Sequence, residues 1–189
     1  MQLKSLENCE LSISFYPKFK YDASGGGGEG ILSPPNDNGI CTILFDINEF
    51  SIPPINWRTT KFLGIKLPPG LEITIKNQSL KGYLDIKTGD LSLDFIAKFR
   101  LSILKYIKAP DLIVETCLNS KEVLIQESKI KGTSIQKDGK TTLVGISTIK
   151  LTGNTILDKF LSLPTTALAI LKCQVKELDY YEYKWDLQD

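Results

Sequence analysis

The stretch that decides the fold is Asp90–Ile103, which reads DLSLDFIAKFRLSI. Between its odd positions the residues are polar or charged, with Ile96 as the exception. A helix would scatter such alternating residues around its circumference, whereas a strand places them on one face. We therefore predict one long strand, and its buried face carries Leu91, Leu93, Phe95, Ala97, Phe99, Leu101 and Ile103.

The residues before this strand repeat the period of two. Apolar side chains alternate with polar ones in residues 71–76 and again, with Gly82 in the series, in residues 80–86. The tripeptide Lys87-Thr88-Gly89 follows, and glycine in the last place of a three-residue loop suits a left-handed conformation. Three consecutive antiparallel strands are predicted, the last two joined as a hairpin.

Two further hairpins are predicted downstream. Asp138-Gly139 separates residues 129–137 from residues 140–151, and both turn residues tolerate positive φ. Residues 112–118 and 122–130 are expected to pair around Asn119-Ser120-Lys121.

One short helix is predicted near residues 154–162. Asn154 can cap it, and Pro164 prevents its continuation. Residues 165–178 then allow two interpretations. Their alternation favours a final strand, while the run Ala-Leu-Ala-Ile-Leu is good helix-forming material.

The N-terminal part contains a long segment without a clear period. A short strand around residues 11–15 and a second one near residues 40–47 enclose SGGGGEG and SPPNDNG. Consecutive glycines favour flexibility, and loops of this length are usually disordered or act as lids. We predict a flexible Gly/Pro-rich loop at about residues 18–38. It lacks the Lys-Ser/Thr of a phosphate-binding loop.

Together these elements predict an all-β fold in a single domain over residues 1–189. The architecture expected is an antiparallel β-barrel or sandwich of hairpins. Its apolar faces form either a packed core or a lipophilic cavity, an alternative that the sequence leaves open. The candidate lining residues are Leu84, Leu91, Leu93, Phe95 and Phe99.

Composition excludes several classes of function. The formal net charge is +1, the two signs are interspersed, and Arg58 and Arg100 are the only arginines, so no nucleic-acid partner is expected. The longest apolar run, residues 167–171, is too short to span a bilayer, which predicts a protein that is not membrane-integral.

The four cysteines indicate a reducing compartment. Cys9, Cys41, Cys117 and Cys173 are far apart and include no C-x-x-C pair. The N-terminal residues lack the apolar core of a signal peptide. We expect free thiols and a cytoplasmic or plastid stromal location, with no metal; a zinc site made from all four thiols is the disfavoured alternative.

The chain contains no histidine, which excludes Ser-His-Asp and Cys-His catalysis. Asp90 and Asp94 are the most conspicuous carboxylate pair, but a solvated face with mixed charges explains them. No catalytic residue and no cofactor is therefore predicted. If the C-terminal segment is extended, an aromatic row lies on one face, either covering the core or binding a protein partner: Tyr181, Tyr183 and Trp185.

The segments IPPINW, FLGIKLPPGLEITI, LKGYLDIKTGDLSLDFIAKF, APDLIVETCLNS, LVGISTI and LDKFLSLPTTALAIL resemble those of an uncharacterised family of cyanobacterial and plastid-lineage proteins. In length and hairpin character the chain is also similar to lipocalin-like and isoprenoid-binding barrels. The first resemblance implies a photosynthetic organism and supplies no catalytic residue.

Three hypotheses about function follow. The first is a non-enzymatic binding barrel for an apolar small molecule such as a lipid, quinone or pigment. The second is a protein-interaction or assembly module of a photosynthetic organism. The third, and least favoured, is a histidine-free enzyme.

Overall fold

The computed structural model describes residues 1–104, 106–125 and 128–176 of the chain. The first half of the chain forms β1 (Gln2–Ser5), β2 (Cys9–Ile13), β3 (Phe19–Tyr21), β4 (Gly27–Leu32), β5 (Ile40–Phe45), β6 (Ile55–Asn56), β7 (Thr60–Phe62), β8 (Ile65–Lys66) and β9 (Leu71–Asp85). The second half forms β10 (Asp90–Ile103), β11 (Ile107–Lys108), β12 (Leu112–Asn119), β13 (Glu122–Ile125), β14 (Ser128–Lys131), β15 (Lys140–Ile149), α1 (Thr155–Leu161) and β16 (Thr165–Lys176). The predicted all-β fold with one short helix is confirmed.

Eight strands form a closed ring of hydrogen bonds. Their order is β1, β4, β5, β9, β10, β12, β15 and β16, and β16 pairs with β1 to complete the ring. Every pair in the ring is antiparallel. A sheet closed on itself in this way is barrel-like, and the predicted antiparallel β-barrel or sandwich is thereby confirmed.

The barrel has two halves because β16 and β9 each change partners along their length. The C-terminal end of β16 pairs with β1, whereas its N-terminal end pairs with β2, which continues the sheet into β3, β7 and β8. Likewise β9 pairs with β5 near Leu84 and with β6 at Ile73. We call the half with β1, β4 and β5 the packed half, and the half with β2, β3, β6, β7, β8 and α1 the mouth half.

Strand β9 is a single strand where the sequence predicted two. The pairing with β10 passes from Ser79 opposite Ile96 to Asn77 opposite Ala97, so Gln78 is an extra residue in a β-bulge. The inward positions accordingly change from odd numbers, such as Ile75, to even numbers. Because of the bulge, the apolar side chains of β9 point inward both before Asn77, at odd positions, and after it, at even positions.

Two of the predicted hairpins need correction, and one is confirmed. Residues 112–118 pair with β10 and not with residues 122–130, because β13 and β14 pair with each other in a separate sheet. The chain does turn at Asp138-Gly139, with hydrogen bonds between Gln136 and Lys140 and between Thr133 and Thr142, but residues 129–137 form no continuous strand beside β15, which pairs with β16 instead. The hairpin at residues 86–89 is present, with Gly89 at a φ of 73°.

The glycine-rich segment is more regular than predicted, since residues 18–38 contain β3 and β4. The glycines allow β4 to pack closely. A Cβ atom at Gly27, where φ is 125°, would overlap the carbonyl oxygen of Leu3, and one at Gly30 would lie 2.8 Å from the ring of Phe45. Residues 19–21 and 27–32 are therefore strands where a loop was predicted, because these glycines allow β4 to pack closely. The flexibility of the segment stays a prediction.

The C-terminal elements resolve the remaining alternative. Asn154 caps α1 by accepting a hydrogen bond from the Leu157 backbone at 2.9 Å, as predicted. Residues 165–176 are a strand that pairs along both edges. In the part of the chain that the structure describes, no helix is long and apolar enough to cross a membrane.

Candidate ligand-binding cavity

The packed half is filled by its own side chains. Leu84, Leu91, Leu93 and Leu143 are each 1% exposed and belong to one continuous cluster. Two of the five predicted lining residues, Leu84 and Leu91, lie in this core and do not border the cavity described next. For these two positions the apolar face is a packed core.

The mouth half encloses a cavity of about 420 Å³. Leu93 borders it from the packed side, and Phe95 and Phe99 form part of its wall on β10. The other walls come from β1, β2, β3, β6, β7, β9, β12, β15, β16 and α1. The structure therefore brings three of the five predicted lining residues together around one space.

The cavity exists because small residues face large ones. On β15 and β16, Gly145 is paired with Ala169, and Ser147 is paired with Ala167, and all four line the space. The β10 wall, two strands from β15 in the ring, carries the large side chains of Phe95 and Phe99. Since the small residues do not reach those rings, the interior on this side stays open.

Helix α1 and the β2–β3 turn lie together over the mouth. The Tyr16 hydroxyl donates a hydrogen bond to the Phe160 carbonyl oxygen at 2.7 Å, and the two rings are 5.8 Å apart. Leu157 points inward and is 6% exposed. The helix thus contributes Leu157, Phe160 and Leu161 to the lining and narrows the opening.

Polar groups on the lining are few, and most already have partners. The Thr116 hydroxyl donates to the Ile146 carbonyl oxygen at 2.9 Å, and the Tyr21 hydroxyl donates to the Pro53 carbonyl oxygen. Ser147 is different: it is 4% exposed, and its hydroxyl has no hydrogen-bond partner among the described residues. A buried hydroxyl without a partner is costly unless something in the cavity bonds to it.

The cavity carries no formal charge at neutral pH. Among the described residues, its lining includes no aspartate, glutamate, lysine or arginine. Burial raises the pKa of the Tyr21 hydroxyl, and burial, with the neighbouring Cys9, raises the pKa of the Cys173 thiol to about 12. Both groups therefore stay neutral and offer no activated nucleophile.

Among the described residues, the others singled out in the sequence do not gather into a site. Asp90 accepts a hydrogen bond from the Ser134 hydroxyl at 2.6 Å, whereas Asp94 is exposed. The four cysteines are free, and only Cys117 is exposed. Within the described ranges no cluster of three metal-ligating side chains occurs. The predicted aromatic row lies outside the described residues: Tyr181, Tyr183 and Trp185.

Ser147 and the small residues beside it were missed at the sequence level. Alternation shows that residues 167, 169 and 171 share one face. It does not show that Ala167 and Ala169 lie beside Ser147 and Gly145, because that depends on the register of β15 and β16. The unpartnered hydroxyl is likewise visible only once the fold is known.

Comparison of the chain with protein-family models, with curated proteins and with solved structures finds no match. The geometry and chemistry of the cavity are therefore the basis for assigning a function.

Proposed function

We propose that the protein is a binding barrel that holds one apolar small molecule, such as a lipid, quinone or pigment, without catalysing its conversion. The observation that carries the proposal is the cavity of about 420 Å³ with an almost wholly apolar lining. Small-molecule sites commonly have volumes of roughly 300 to 1,000 Å³ and apolar walls. An occupant would restore the dispersion contacts that the lining residues lack.

The charge of the lining selects neutral ligands. A carboxylate or ammonium group inside the cavity would lose its hydration without gaining an ion pair, which costs several kcal/mol. A long hydrocarbon with a neutral head avoids this penalty. Ligands that carry a charge are expected to bind only if the charged group remains outside the mouth.

Ser147 favours a ligand with one polar group. Its hydroxyl can both donate and accept a hydrogen bond, so it suits an alcohol or a carbonyl oxygen equally. Quinones, long-chain alcohols and ketone-bearing pigments share this chemistry. We therefore place the polar atom of the ligand beside Ser147 and its hydrocarbon part against Phe95 and Phe99.

The proposal is tested by titrating the full chain with Nile red, a neutral polarity-sensitive dye, and by displacing the dye with competitors. Hexadecanol should displace it, and palmitate at pH 8 should compete at least about tenfold less well because its carboxylate resists burial. Native mass spectrometry of freshly purified protein should show a stoichiometric bound small molecule. Absence of dye binding together with a ligand-free mass would overturn the proposal.

Filling the cavity provides a matched pair of variants. Ala167→Phe places a phenyl ring in the cavity beside Ser147. It should abolish dye binding while the barrel remains folded. Thr166→Phe makes the same change on the neighbouring exposed position and should leave binding intact. Ser147→Ala removes the hydroxyl without adding volume, so it should reduce the affinity for hexadecanol and spare hexadecane.

A further inference from the structure

One end of the barrel gathers the segments that connect the strands of the mouth half. The pairings Leu71 with Ile103, Ile149 with Thr165 and Ile13 with Ala167 place these strand ends side by side. We define the rim as the described residues of 14–18, 63–70, 104–111 and 150–164. The rim surrounds the mouth of the cavity, since Tyr16, Leu67 and Leu161 belong to both.

The rim exposes large apolar side chains from all four of its segments. Phe15, Leu63, Ile65, Tyr106, Ile156 and Phe160 are between 60% and 91% exposed. Single exposed apolar residues are ordinary, but a set of them around one opening marks an interaction surface. These side chains remain exposed in the folded structure of the described residues.

Helix α1 presents part of this surface in a fixed orientation. Leu157 faces the cavity, whereas Ile156 and Phe160, one turn apart, are 83% and 60% exposed, and Phe160 also borders the mouth. The Asn154 cap and the hydrogen bond from Tyr16 to the Phe160 carbonyl oxygen hold the helix in place. Phe15 stacks on Tyr16 at 4.8 Å and extends the apolar surface across the turn.

The charges on the rim are predominantly positive. Its described residues include two aspartates, and both carboxylates are already bonded: Asp111 to Arg100 at 2.6 Å, and Asp158 to the Thr152 hydroxyl at 2.6 Å. One of the rim lysines pairs with Glu10 on β2. The exposed lysines of the rim are Lys18, Lys66, Lys108, Lys150 and Lys159.

An aromatic and cationic cluster lies beside the rim. The Trp57 ring has the Arg58 guanidinium 5.0 Å and the Lys66 ammonium 5.6 Å from its centroid. Tryptophan and tyrosine side chains are enriched at the level of the lipid headgroups, because each has an apolar ring and a polar group. Lysine and arginine side chains near the same level bind anionic lipids. Apolar side chains ringed by lysines are the composition of surfaces that lie on anionic bilayers.

We infer that the rim docks on an anionic lipid bilayer, with the mouth of the cavity facing the membrane. The apolar side chains enter the headgroup region, and the lysines contact the anionic lipids around them. The inference of docking depends on the rim residues alone. A further role of docking, the exchange of a neutral ligand between the bilayer and the cavity, depends on the proposed function.

Vesicle flotation tests the docking. The full chain should float with vesicles of phosphatidylcholine and phosphatidylglycerol in equal parts, bind phosphatidylcholine vesicles more weakly, and dissociate at high salt. The double variant Phe15→Ser/Ile156→Ser should reduce binding to the anionic vesicles at least about tenfold, because it removes two large apolar groups from the contact. Neither residue lines the cavity, so Nile red binding should persist.

Matched controls come from the wall of the packed half. Ile31 and Leu44 lie side by side on β4 and β5 and are 78% and 60% exposed, so Ile31→Ser/Leu44→Ser removes similar surface away from the rim. It should bind vesicles like the parent protein. Lys150→Glu and Lys159→Glu should each weaken vesicle binding about fivefold or more, whereas Lys81→Glu on β9 should have no effect.

The possible outcomes separate the two proposals. Failure of the parent protein to float with anionic vesicles overturns the docking while Nile red binding still tests the cavity. Equal losses in the control variants also overturn it. If light scattering instead shows a dimer that Phe15→Ser/Ile156→Ser dissociates, and vesicle binding is absent, the rim is an interface between copies of the chain.

Discussion

The two halves of the barrel are built from the same strands but differ in how their inward side chains meet. On β10, Leu91 is fully buried away from the cavity, whereas Phe95 and Phe99, on the same face, border it, and Leu93 lies at the boundary between the two. The difference lies on β15 and β16. Leu143 packs into the filled core and also borders the cavity, whereas Ser147 and its partner Ala167, further along these strands, are small residues on the cavity wall. Large apolar residues on one strand therefore do not determine whether a barrel is filled.

The largest expected effect separates a filled position from an open one. Leu91→Ala should destabilise the protein by about 3 to 5 kcal/mol, because it creates a new cavity in a packed core. Phe99→Ala enlarges a space that already exists, and we expect less than about 2 kcal/mol despite the larger side chain. Denaturant unfolding of both variants measures the two free energies.

Ligand binding should show the reverse order. Phe99→Ala changes the wall of the cavity and should weaken Nile red binding, while Leu91→Ala should leave the affinity of the folded fraction unchanged. Equal destabilisation by the two variants would show that both halves are packed alike, and the comparison on which the proposed function depends would be lost.

A second prediction concerns the glycines of β4, which the structure assigns to packing. Gly27→Ala should cost about 2 to 4 kcal/mol, since the new Cβ atom overlaps the Leu3 carbonyl oxygen at a positive φ. Gly25 also has a positive φ, of 86°, but nothing lies within 4 Å of an added Cβ atom. Gly25→Ala should cost only about 1 kcal/mol.

Thermal or denaturant unfolding of the two glycine variants distinguishes packing from flexibility. A flexible segment would tolerate both changes equally. Hydrogen exchange provides a second measurement: amides of Gly27 and Gly30, which bond to Ser51 and Met1, should be protected without any ligand.

Much of the architecture could be predicted because it depends on local patterns. Alternation identified β10 to the residue, and the capping asparagine and the following proline located α1. The bulge in β9 could also have been predicted, since its apolar positions change from odd to even numbers between Ile75 and Leu80. Two separate strands joined by a turn explain the same change, and no glycine or proline is present there to form that turn.

The pairing of distant strands could not be predicted in the same way. The hairpin expected between residues 112–118 and 122–130 failed because β12 has a partner, β10, that satisfies its backbone over a longer register. Similarly, SGGGGEG has the composition of a flexible linker, and only the closeness of Leu3 and Phe45 shows why glycine is needed. The cavity itself depends on the register of β15 and β16, which contributes no local signal.

A smaller effect on stability is expected from substitution of Asp90, the first residue of β10, at the end of the packed half. Burial alone would raise its pKa, but hydrogen bonds from Ser134, Thr88 and Lys121 outweigh burial and lower it. Asp90→Asn should therefore cost about 1 to 2 kcal/mol at neutral pH. Asp94→Asn, on an exposed position of the same strand, is the control and should be close to neutral.

The pH dependence of the Asp90 variant has a definite sign. A lowered pKa in the folded state means that the carboxylate stabilises the fold above its ordinary pKa of 3.8, and that this contribution is lost as the pH falls through the folded-state pKa. The difference between Asp90→Asn and the parent should accordingly shrink below about pH 4. A difference that stays constant down to pH 2 would show that the hydrogen bonds do not depend on the charge.

The smallest effect on stability at neutral pH is expected from substitution of the exposed thiol of Cys117. Chemical labelling of the thiols also shows how far water reaches into each half of the barrel. Cys41 is 1% exposed and Cys173 is 2% exposed on the cavity wall, whereas Cys117 lies on the outer surface. A charged thiol reagent should modify only Cys117 in the native protein and all four thiols after denaturation. Cys117→Ser should change stability by less than about 0.5 kcal/mol and should abolish native labelling.

Cys173 makes the comparison sharper at alkaline pH. Its pKa is raised from 9.0 to about 12 by burial, so its contribution to stability is complete below pH 9 and is lost between pH 9 and about 12, where the unfolded chain ionises first. Cys173→Ala should remove part of that alkaline loss. If a small neutral reagent labels Cys173 in the native protein but Nile red prevents the labelling, the cavity is open to solvent through the mouth. Labelling that the dye does not affect would mean that the thiol is reached from another side, and that the wall at β16 is not closed.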